Sequence, residues 1–198
     1  RRIAAAEIVF CGGEACFCQA VSLLILSLNT FPLYENVGFM VNLEPKRVSD
    51  SKTEQIQIIM PEHINGSGRL FGGRLVEWID VVAAVTARRH SGRNVTTLII
   101  DHLEFKHPAY VNDTLVLVGQ VTYTGRTSME VRVDTYIERL DGEKTHINRA
   151  YLVMVALDEN DKPTPVPPLI CETEEEYREY MAAKIRRDQR KARSAGKQ

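Results

Sequence analysis

Hydrophobic and polar residues alternate with two different periods along the chain, and the change of period separates predicted strands from predicted helices. Residues 52–60 alternate polar and apolar side chains, which predicts a strand that Pro61 ends. Residues 74–90 contain neither Gly nor Pro and are mostly apolar, so we predict a long helix that other elements surround and that ends at Gly92. Four β-rich runs follow, at residues 95–105, 114–124, 128–140 and 145–157.

The third β-rich run indicates an antiparallel sheet with one dry and one hydrated face. Gly125-Arg126 and Asp141-Gly142 are turn signals on either side of this run. One strand, one long buried helix and four further strands predict an α+β domain whose sheet curls around the helix. The apolar residues of the third run alternate with charged ones, namely Met129, Val131, Val133 and Ile137 with Glu130, Arg132, Asp134 and Glu138.

The end of the sequence predicts a second helix, from Thr173 to about Arg193, after a stiff proline-rich connector at residues 163–168. Thr173 and Glu176 have the spacing of a capping box. Acidic residues crowd the first turns and basic residues the last, as the helix dipole favours. We favour a solvated helix whose charges match its dipole over a helix whose basic end binds phosphate or RNA.

Composition and charge exclude several classes of protein. The 198 residues include 25 Lys and Arg against 26 Asp and Glu, and a net charge of −1 is atypical of a protein that binds nucleic acid or anionic membranes. No apolar run reaches the roughly 18 residues of a spanning helix. The cysteines have neither zinc-site spacing nor a readable disulfide framework, so we predict a reducing, cytoplasmic compartment. They are Cys11, Cys16, Cys18 and Cys171.

Residues 1–39 differ from the rest of the chain. They carry three cysteines and an apolar stretch at residues 21–28 with no helical or strand period beyond it. They are either a secretory leader or sequence upstream of a start at Met40, and the poor cleavage signal after the apolar stretch favours the second interpretation. We therefore predict a main domain at residues 40–170 and a charged C-terminal helix at residues 171–198.

Asp80 is conspicuous because it lies in the middle of the apolar helix. A buried carboxylate is unfavourable unless it has a partner or a chemical role. The surrounding helix face allows close approach either by another helix, with Asp80 bonded to a nearby donor, or by the narrow end of a ligand. Its residues are nearly all small, namely Gly73, Val76, Ala83, Ala84 and Ala87.

The Gly72-Gly73 pair at the entrance of this helix favours the ligand interpretation. Amide groups in a first helical turn lack intrahelical acceptors, and the dipole there is positive, so they can hold a developing oxyanion. Asp80 lies eight residues after Gly72, about 12 Å of helical rise. One chain therefore does not bring both groups to one small substrate, whereas a second copy with an antiparallel helix does.

Three segments together resemble the hotdog-fold acyl-CoA thioesterases of the cytoplasmic acyl-CoA hydrolase type. They are residues 65–80, which include Phe71-Gly72-Gly73 and Asp80, residues 103–108 with 112–113, and residues 125–128. The resemblance spans about residues 52–157. It implies a hotdog fold, hydrolysis of acyl-CoA to a free acid and coenzyme A, no metal or other cofactor, and self-association as a dimer or a trimer of dimers.

The resemblance also implies roles for individual residues. Asp80 corresponds to the catalytic carboxylate, acting as general base on water or as nucleophile, and the amide of Gly72 or Gly73 polarises the thioester carbonyl. Asn65 positions the water or the carbonyl, and Thr97 matches a hydroxyl residue that comes from the neighbouring subunit. The implied CoA-binding residues are Arg126 and Ser128, with Arg89, His90 and Lys106 as weaker matches.

Two other functions compete with hydrolysis. A hotdog hydratase or dehydratase usually needs a His and acid pair, and His63 is the only suitable histidine before the helix. A non-catalytic acyl-CoA sensor would bind the thioester without releasing a thiol. A serine hydrolase is unsupported because the sequence has no Gly-x-Ser-x-Gly motif.

Overall fold

The computed structural model describes residues 43–195, all of which lie in one compact unit, Val41–Gln198. The two interpretations of residues 1–39 concern residues outside this described part. Three helices occur in it, α1 (Val48–Ser51), α2 (Gly72–Ser91) and α3 (Glu174–Ala195), together with a 3-10 turn at Pro61–His63. The strands are β1 (Lys46–Arg47), β2 (Thr53–Ile58), β3 (Asn94–Phe105), β4 (Thr114–Thr124), β5 (Ser128–Glu138), β6 (Lys144–Leu157) and β7 (Leu169–Ile170).

Five strands form one antiparallel sheet in the order β2-β4-β5-β6-β3, which leaves β2 and β3 at its edges. The predicted strands and the two hairpin turns are confirmed to within a few residues. Gly142 has a φ of 86°, a left-handed conformation that glycine adopts without strain, in the β5–β6 turn. The short strands β1 and β7 pair in parallel and connect the start of the described chain to the segment before α3.

Helix α2 lies against the sheet and forms the centre of the core. It begins two residues earlier than predicted because Gly72 and Gly73 occupy its first turn, and it ends, as predicted, at Gly92 with a φ of 64°. Ile79 and Val82 are buried together with sheet residues such as Val131. The prediction that other elements surround this helix is only partly correct, because within the described chain its remaining face is open. Four residues of that face are exposed or half-buried, namely Gly73, Glu77, Val81 and Ala84.

Close contact between α2 and β4 depends on Gly119. A Cβ atom at this position would lie 2.5 Å from Thr86 Oγ1 and 2.7 Å from Val82 Cγ1. We expect Gly119→Ala to lower the free energy of unfolding by about 1–3 kcal/mol, since the tight core must move to admit the methyl group. Urea denaturation measures this, with Gly66→Ala as the control because no atom lies within 4 Å of a Cβ there. Equal effects of the two substitutions would contradict the tight helix–strand contact.

The outer face of the sheet is not hydrated, and that prediction is wrong. Three of the four residues expected to face water, Glu130, Arg132 and Asp134, are only 2%, 9% and 4% exposed, whereas the side chain of the fourth, Glu138 at the end of β5, is 32% exposed. Helix α3 pairs with Glu130 and Arg132, so the expectation of a solvated C-terminal helix is wrong for the face that meets the sheet. Asp134 is paired within the sheet instead, with Arg132, Arg149 and His146. The physical reason is that α3 carries complementary charges, and the buried carboxylates and guanidinium groups compensate each other.

The ion pairs between α3 and the sheet centre on Glu130. Arg186 Nη2 and Arg190 Nη1 lie 2.8 Å and 3.0 Å from its two carboxylate oxygens. Arg190 also donates to Asp101 Oδ2 at 2.6 Å, and Arg132 Nη1 lies 2.8 Å from Glu179 Oε2. Burial alone would raise the pKa of Glu179, but the guanidinium groups of Arg186 and Arg132 outweigh burial and lower it. This network fixes α3 on the sheet.

The predicted capping box at the start of α3 is confirmed. The amide of Glu176 donates to Thr173 Oγ1 at 3.1 Å, and the amide of Thr173 donates to Glu176 Oε2 at 3.2 Å. Among residues 43–195 no helix combines the length and the hydrophobicity that a membrane span requires.

Candidate active site

Asp80 is half-buried on the open side of α2 and has one hydrogen-bonded oxygen. Thr97 Oγ1 donates to Asp80 Oδ1 at 2.6 Å, and the same hydroxyl oxygen lies 3.6 Å from Met154 Sδ. No hydrogen bond within the described chain reaches Asp80 Oδ2, so that oxygen is available to a substrate or a water. The structure thus supplies the hydroxyl partner for Asp80 and still leaves one carboxylate oxygen unoccupied.

Thr97 belongs to the same chain as the Asp80 carboxylate that it contacts. The expectation that this hydroxyl comes from a neighbouring subunit is therefore corrected. Strand β3 follows α2 after the turn at Gly92 and runs back along the helix, which brings the two side chains together. Two of the small residues expected beside Asp80, Ala83 and Ala87, are fully buried in the core and leave no room there for a ligand.

The first turn of α2 presents backbone donors. Phe71 precedes the helix in an extended conformation, and no side chain caps the turn. Within residues 43–195 the amides of Gly72 and Gly73 donate no backbone hydrogen bond. A Cβ atom on Gly73 would lie 2.6 Å from the Phe71 ring, so this exposed ring would have to move to admit any other residue there. These amides, at the positive end of the helix, can stabilise an oxyanion.

A cleft of about 380 Å³ opens at this helix entrance, and the sequence candidates Asn65, Gly72 and Lys106 line it. Asn65 Oδ1 accepts hydrogen bonds from the amides of Ser67 and Arg69, at 2.9 Å and 3.3 Å. These two bonds hold the side chain with its oxygen toward the loop, so the Nδ2 group can donate a hydrogen bond to a ligand. The remaining walls are largely apolar and include Leu70, Leu75, Phe105, Pro108, Ala109 and Ile147.

Asp80 does not line this cleft. It is eight residues beyond Gly72 on a continuous helix, and therefore about 12 Å along its axis. The structure of one chain accordingly brings together Asp80 with Thr97 at one place, and Asn65 with Gly72 at another. The surface next to Asp80 is apolar and open in the single chain, since Val81 on the same helix is 50% exposed.

A second cleft, of about 400 Å³, lies where the β4–β5 turn meets the end of α3. The two leading candidates for CoA binding, Arg126 and Ser128, both line it. Three cations of α3 also line it: Arg190, which is held in ion pairs, and Arg187 and Lys191, which sequence analysis did not connect with coenzyme A. Their i, i+4 spacing on a predicted helix was visible, but only the docking of α3 shows which surface they face.

Arg89 and His90 line neither of these clefts. Because His90 is fully buried, its assignment to CoA binding is corrected, whereas that of the exposed Arg89 stays a prediction. Arg89 Nη1 donates to the carbonyl of Lys52 at 2.9 Å and to Thr53 Oγ1 at 3.2 Å. His90 is fully buried, with Nε2 3.0 Å from the carbonyl oxygen of Pro167. Both residues tie the end of α2 to other parts of the chain, because basic residues in a last helical turn find carbonyl acceptors readily.

The buried state of His90 predicts a pH dependence of stability. Burial lowers the pKa of His90 from its ordinary value of 6.5, and the positive charge of Lys46 lowers it further. The Pro167 carbonyl and the charge of Asp50 raise this pKa, but they do not outweigh burial. The unfolded chain therefore binds one more proton at pH values between the folded-state pKa and 6.5, so stability falls as the pH drops through that interval.

We expect the free energy of unfolding of the wild type, relative to that of His90→Gln, to decrease between about pH 7.5 and about pH 5. Urea denaturation at several pH values measures this difference. A difference that stays constant across the range would show that burial of His90 does not disfavour its protonated form.

Comparisons with known proteins agree with this architecture. Residues 67–142 match the model of the thioesterase superfamily. The uncharacterised acyl-CoA thioester hydrolase YkhA of Bacillus subtilis is 37% identical over 76% of this chain and 88% of its own length. A solved apo-hexameric acyl-CoA thioesterase is 44% identical, with a TM-score of 0.74 over 77% of this chain and 99% of that chain.

An acyl-CoA hydrolase from Staphylococcus aureus, solved with butyryl coenzyme A, coenzyme A and coenzyme A disulfide, is 35% identical. Its TM-score is 0.73 over 77% of this chain and 93% of that chain. Variants of that enzyme were also solved in which an Asn, an Asp and a Thr are each replaced by Ala, at successive spacings of 15 and 17 residues. Asn65, Asp80 and Thr97 have the same residue types and the same two spacings.

Proposed function

Because the chain belongs to the hotdog-fold acyl-CoA thioesterase family, we propose that it hydrolyses acyl-CoA thioesters to a free carboxylic acid and coenzyme A. The observation that carries this proposal is the state of Asp80. Thr97 holds one of its oxygens at 2.6 Å, and the other accepts no hydrogen bond within the described residues. The acyl-CoA hydrolase of Staphylococcus aureus, whose complexes contain coenzyme A, supports the choice of substrate.

Thioester hydrolysis needs an activated nucleophile and a group that stabilises the oxyanion. As general base, Asp80 takes a proton from a water molecule while the water oxygen bonds to the thioester carbon. The carbonyl oxygen becomes an oxyanion, which the amide of Gly72 or Gly73 stabilises, and collapse of this intermediate releases the coenzyme A thiolate. As nucleophile, Asp80 would instead bond to the thioester carbon and displace the coenzyme A thiolate, which leaves an acyl anhydride that water then hydrolyses. Asn65 Nδ2 is placed to orient the water or the carbonyl.

We further propose that each active site is shared between two chains. Asp80 and the Gly72 amide are too far apart along α2 to meet at one thioester carbon, about 12 Å of rise. A second copy with its helix antiparallel brings the glycine entrance of one chain to the carboxylate of the other. Open apolar residues on α2 and on the edge strand β3 that line neither cleft support such pairing, namely Val81 and Ile100.

Mixing two inactive variants tests the shared site. Co-expression of Asp80→Asn with Asn65→Ala should restore activity, because each mixed dimer contains one site with both residues intact. Random pairing predicts about a quarter of the wild-type rate. Thiol release by the mixed and the separate preparations measures this. Activity of the mixture no higher than the mean of the two variants would place the complete site within one chain.

Release of free thiol across a panel from acetyl-CoA to palmitoyl-CoA tests the function itself and gives the chain-length preference. The same samples, assayed for hydration of an enoyl-CoA, test the hydratase alternative. His63 does not favour that alternative, because its Nδ1 accepts the Met60 amide at 3.0 Å and its ring packs on Trp78. Tight acyl-CoA binding with no thiol release would instead identify a sensor and contradict the proposal.

We propose that the reaction needs no cofactor, since a carboxylate and backbone amides supply both chemical requirements. A cytoplasmic location is likewise a proposal. The cytosolic acyl coenzyme A thioester hydrolase of Rattus norvegicus, 30% identical over 79% of this chain and 42% of its own length, supports it.

A further inference from the structure

The cleft beside the β4–β5 turn concentrates positive charge in a chain whose net charge is −1. Four cationic side chains line it, and Glu130 is the one acidic side chain among its lining residues. Glu130 is buried and already bonded to Arg186 and Arg190, so its charge is compensated before any ligand arrives. The four cations are Arg126, Arg187, Arg190 and Lys191.

Two of the cations that α3 contributes to the cleft are not used by the network that fixes this helix on the sheet. Within the described residues the one ion pair of Arg187 is to the exposed Asp188, at 3.5 Å, a weak surface contact. Lys191 makes no ion pair or side-chain hydrogen bond in the same part of the chain. Arg190, by contrast, is held by Asp101 and Glu130. Arg187 and Lys191 are therefore free to bind an anion from outside.

The register of α3 places these side chains over the cleft. Ala183 is fully buried, so the helix backbone approaches the sheet closely there. Arg187 and Lys191 follow it at intervals of four residues and lie on the same side of the helix. The Arg187 guanidinium also lies 5.6 Å from the centre of the Tyr123 ring, which forms part of the same wall.

We propose that Arg187 and Lys191 bind the phosphate groups at the nucleotide end of the acyl-CoA substrate, together with Arg126 and Ser128. This inference rests on the proposed thioesterase function and extends it, because it makes α3 part of the substrate site. Coenzyme A carries a diphosphate and a 3′-phosphate, which match a cluster of guanidinium, ammonium and hydroxyl donors. The cleft volume of about 400 Å³ is within the range of small-molecule sites.

The apolar part of the cleft agrees with a nucleotide rather than with a long polyanion. Leu98, Ile99 and Val153 provide a nonpolar surface next to the cations, which suits a purine ring beside its phosphates. Leu98 directly follows Thr97, whose hydroxyl holds Asp80, so the cleft and the carboxylate lie on either side of the same edge strand.

The double variant Arg187→Gln/Lys191→Gln tests the inference, with Lys184→Gln/Arg193→Gln as a control of equal charge. Both control positions are exposed residues of α3 that do not line the cleft. Isothermal titration with 3′,5′-ADP, the nucleotide end without the thioester, should show at least about tenfold weaker binding for the first variant and little change for the control.

Kinetics separate binding from chemistry. For a short acyl-CoA we expect KM to rise by at least about tenfold with kcat within about twofold, since the lost contacts are equal in the ground and transition states. Hydrolysis of the corresponding N-acetylcysteamine thioester, which has no nucleotide, should be the same in wild type and variant. If Arg187 and Lys191 had only a positioning or structural role, the double variant would hydrolyse both substrates more slowly than the wild type.

Unchanged 3′,5′-ADP binding in the double variant, or an equal loss in the control, would overturn the inference while leaving the thioesterase function intact. Failure of the wild type to release thiol from any thioester would refute the proposed function. Binding of 3′,5′-ADP by such an inactive protein, weakened in the double variant alone, would still support the phosphate site. A wild type that binds no 3′,5′-ADP would overturn the inference.

Discussion

Asp80→Asn is expected to lower kcat for acyl-CoA hydrolysis at least about a hundredfold, as for loss of a general base, while the fold and self-association persist. An Asn side chain still has an oxygen that can accept the Thr97 hydroxyl, now 2.6 Å from Asp80 Oδ1. What it lacks is the basic oxygen that takes a proton from water. The effect therefore separates chemistry from stability more cleanly than a truncation would.

Thiol release under saturating substrate measures this effect, and thermal unfolding with size-exclusion chromatography verifies the fold and the assembly. Glu77→Gln is the matched control, because Glu77 is an exposed carboxylate one turn away that pairs with Arg74 at 2.6 Å. We expect the control to retain activity within about twofold, as for a surface substitution. Wild-type turnover by a well-folded Asp80→Asn protein would refute the mechanism.

Glu130→Gln should have the largest effect on stability, a loss of about 3 kcal/mol or more in the free energy of unfolding. The Glu130 side chain is 1% exposed and faces two guanidinium groups that are themselves 22% and 13% exposed. Removal of its charge leaves Arg186 and Arg190 without that compensation in a site that excludes most water. A buried pair is more costly to break than to replace as a whole by apolar residues.

Urea denaturation measures the change, and Glu138→Gln is the control. The Glu138 carboxylate lies 3.4 Å from Lys144 Nζ, and these two side chains are 32% and 42% exposed. An exposed pair of this kind contributes no more than about 1 kcal/mol. Similar losses for the two variants would mean that the network around Glu130 does not hold α3 on the sheet.

Most elements of this fold could be predicted from local patterns. The long apolar segment, the alternation in the strands and the turn residues Gly92 and Gly142 each report on their immediate neighbours. Such signals depend on the spacing of apolar side chains and on the backbone preferences of individual residues, and both can be taken from the sequence directly. The glycine entrance of α2 and the capping box at Thr173 were found in the same way, since both depend on residues a few positions apart.

The largest error concerned the outer face of the sheet. Alternating charges on β5 normally indicate a hydrated face, and Glu130, Arg132 and Asp134 follow that pattern. The pattern cannot show that a helix more than forty residues further along the chain meets Glu130 and Arg132 with opposite charges, as the Arg132 to Glu179 pair demonstrates. A strand face with alternating charges can lie against water or against a surface of opposite charge. The sequence of the strand does not distinguish the two, because the covering element lies far away along the chain.

The sequence by itself determined the secondary structure, the isolated carboxylate at Asp80 and the donors at Gly72 and Gly73, because each follows from residues within a few turns of one another. Only the tertiary structure decided that Thr97 of the same chain holds Asp80, that His90 is buried, and that α3 covers the sheet. These facts depend on contacts between residues distant in the chain, whose energies become favourable only after the core has brought the elements together.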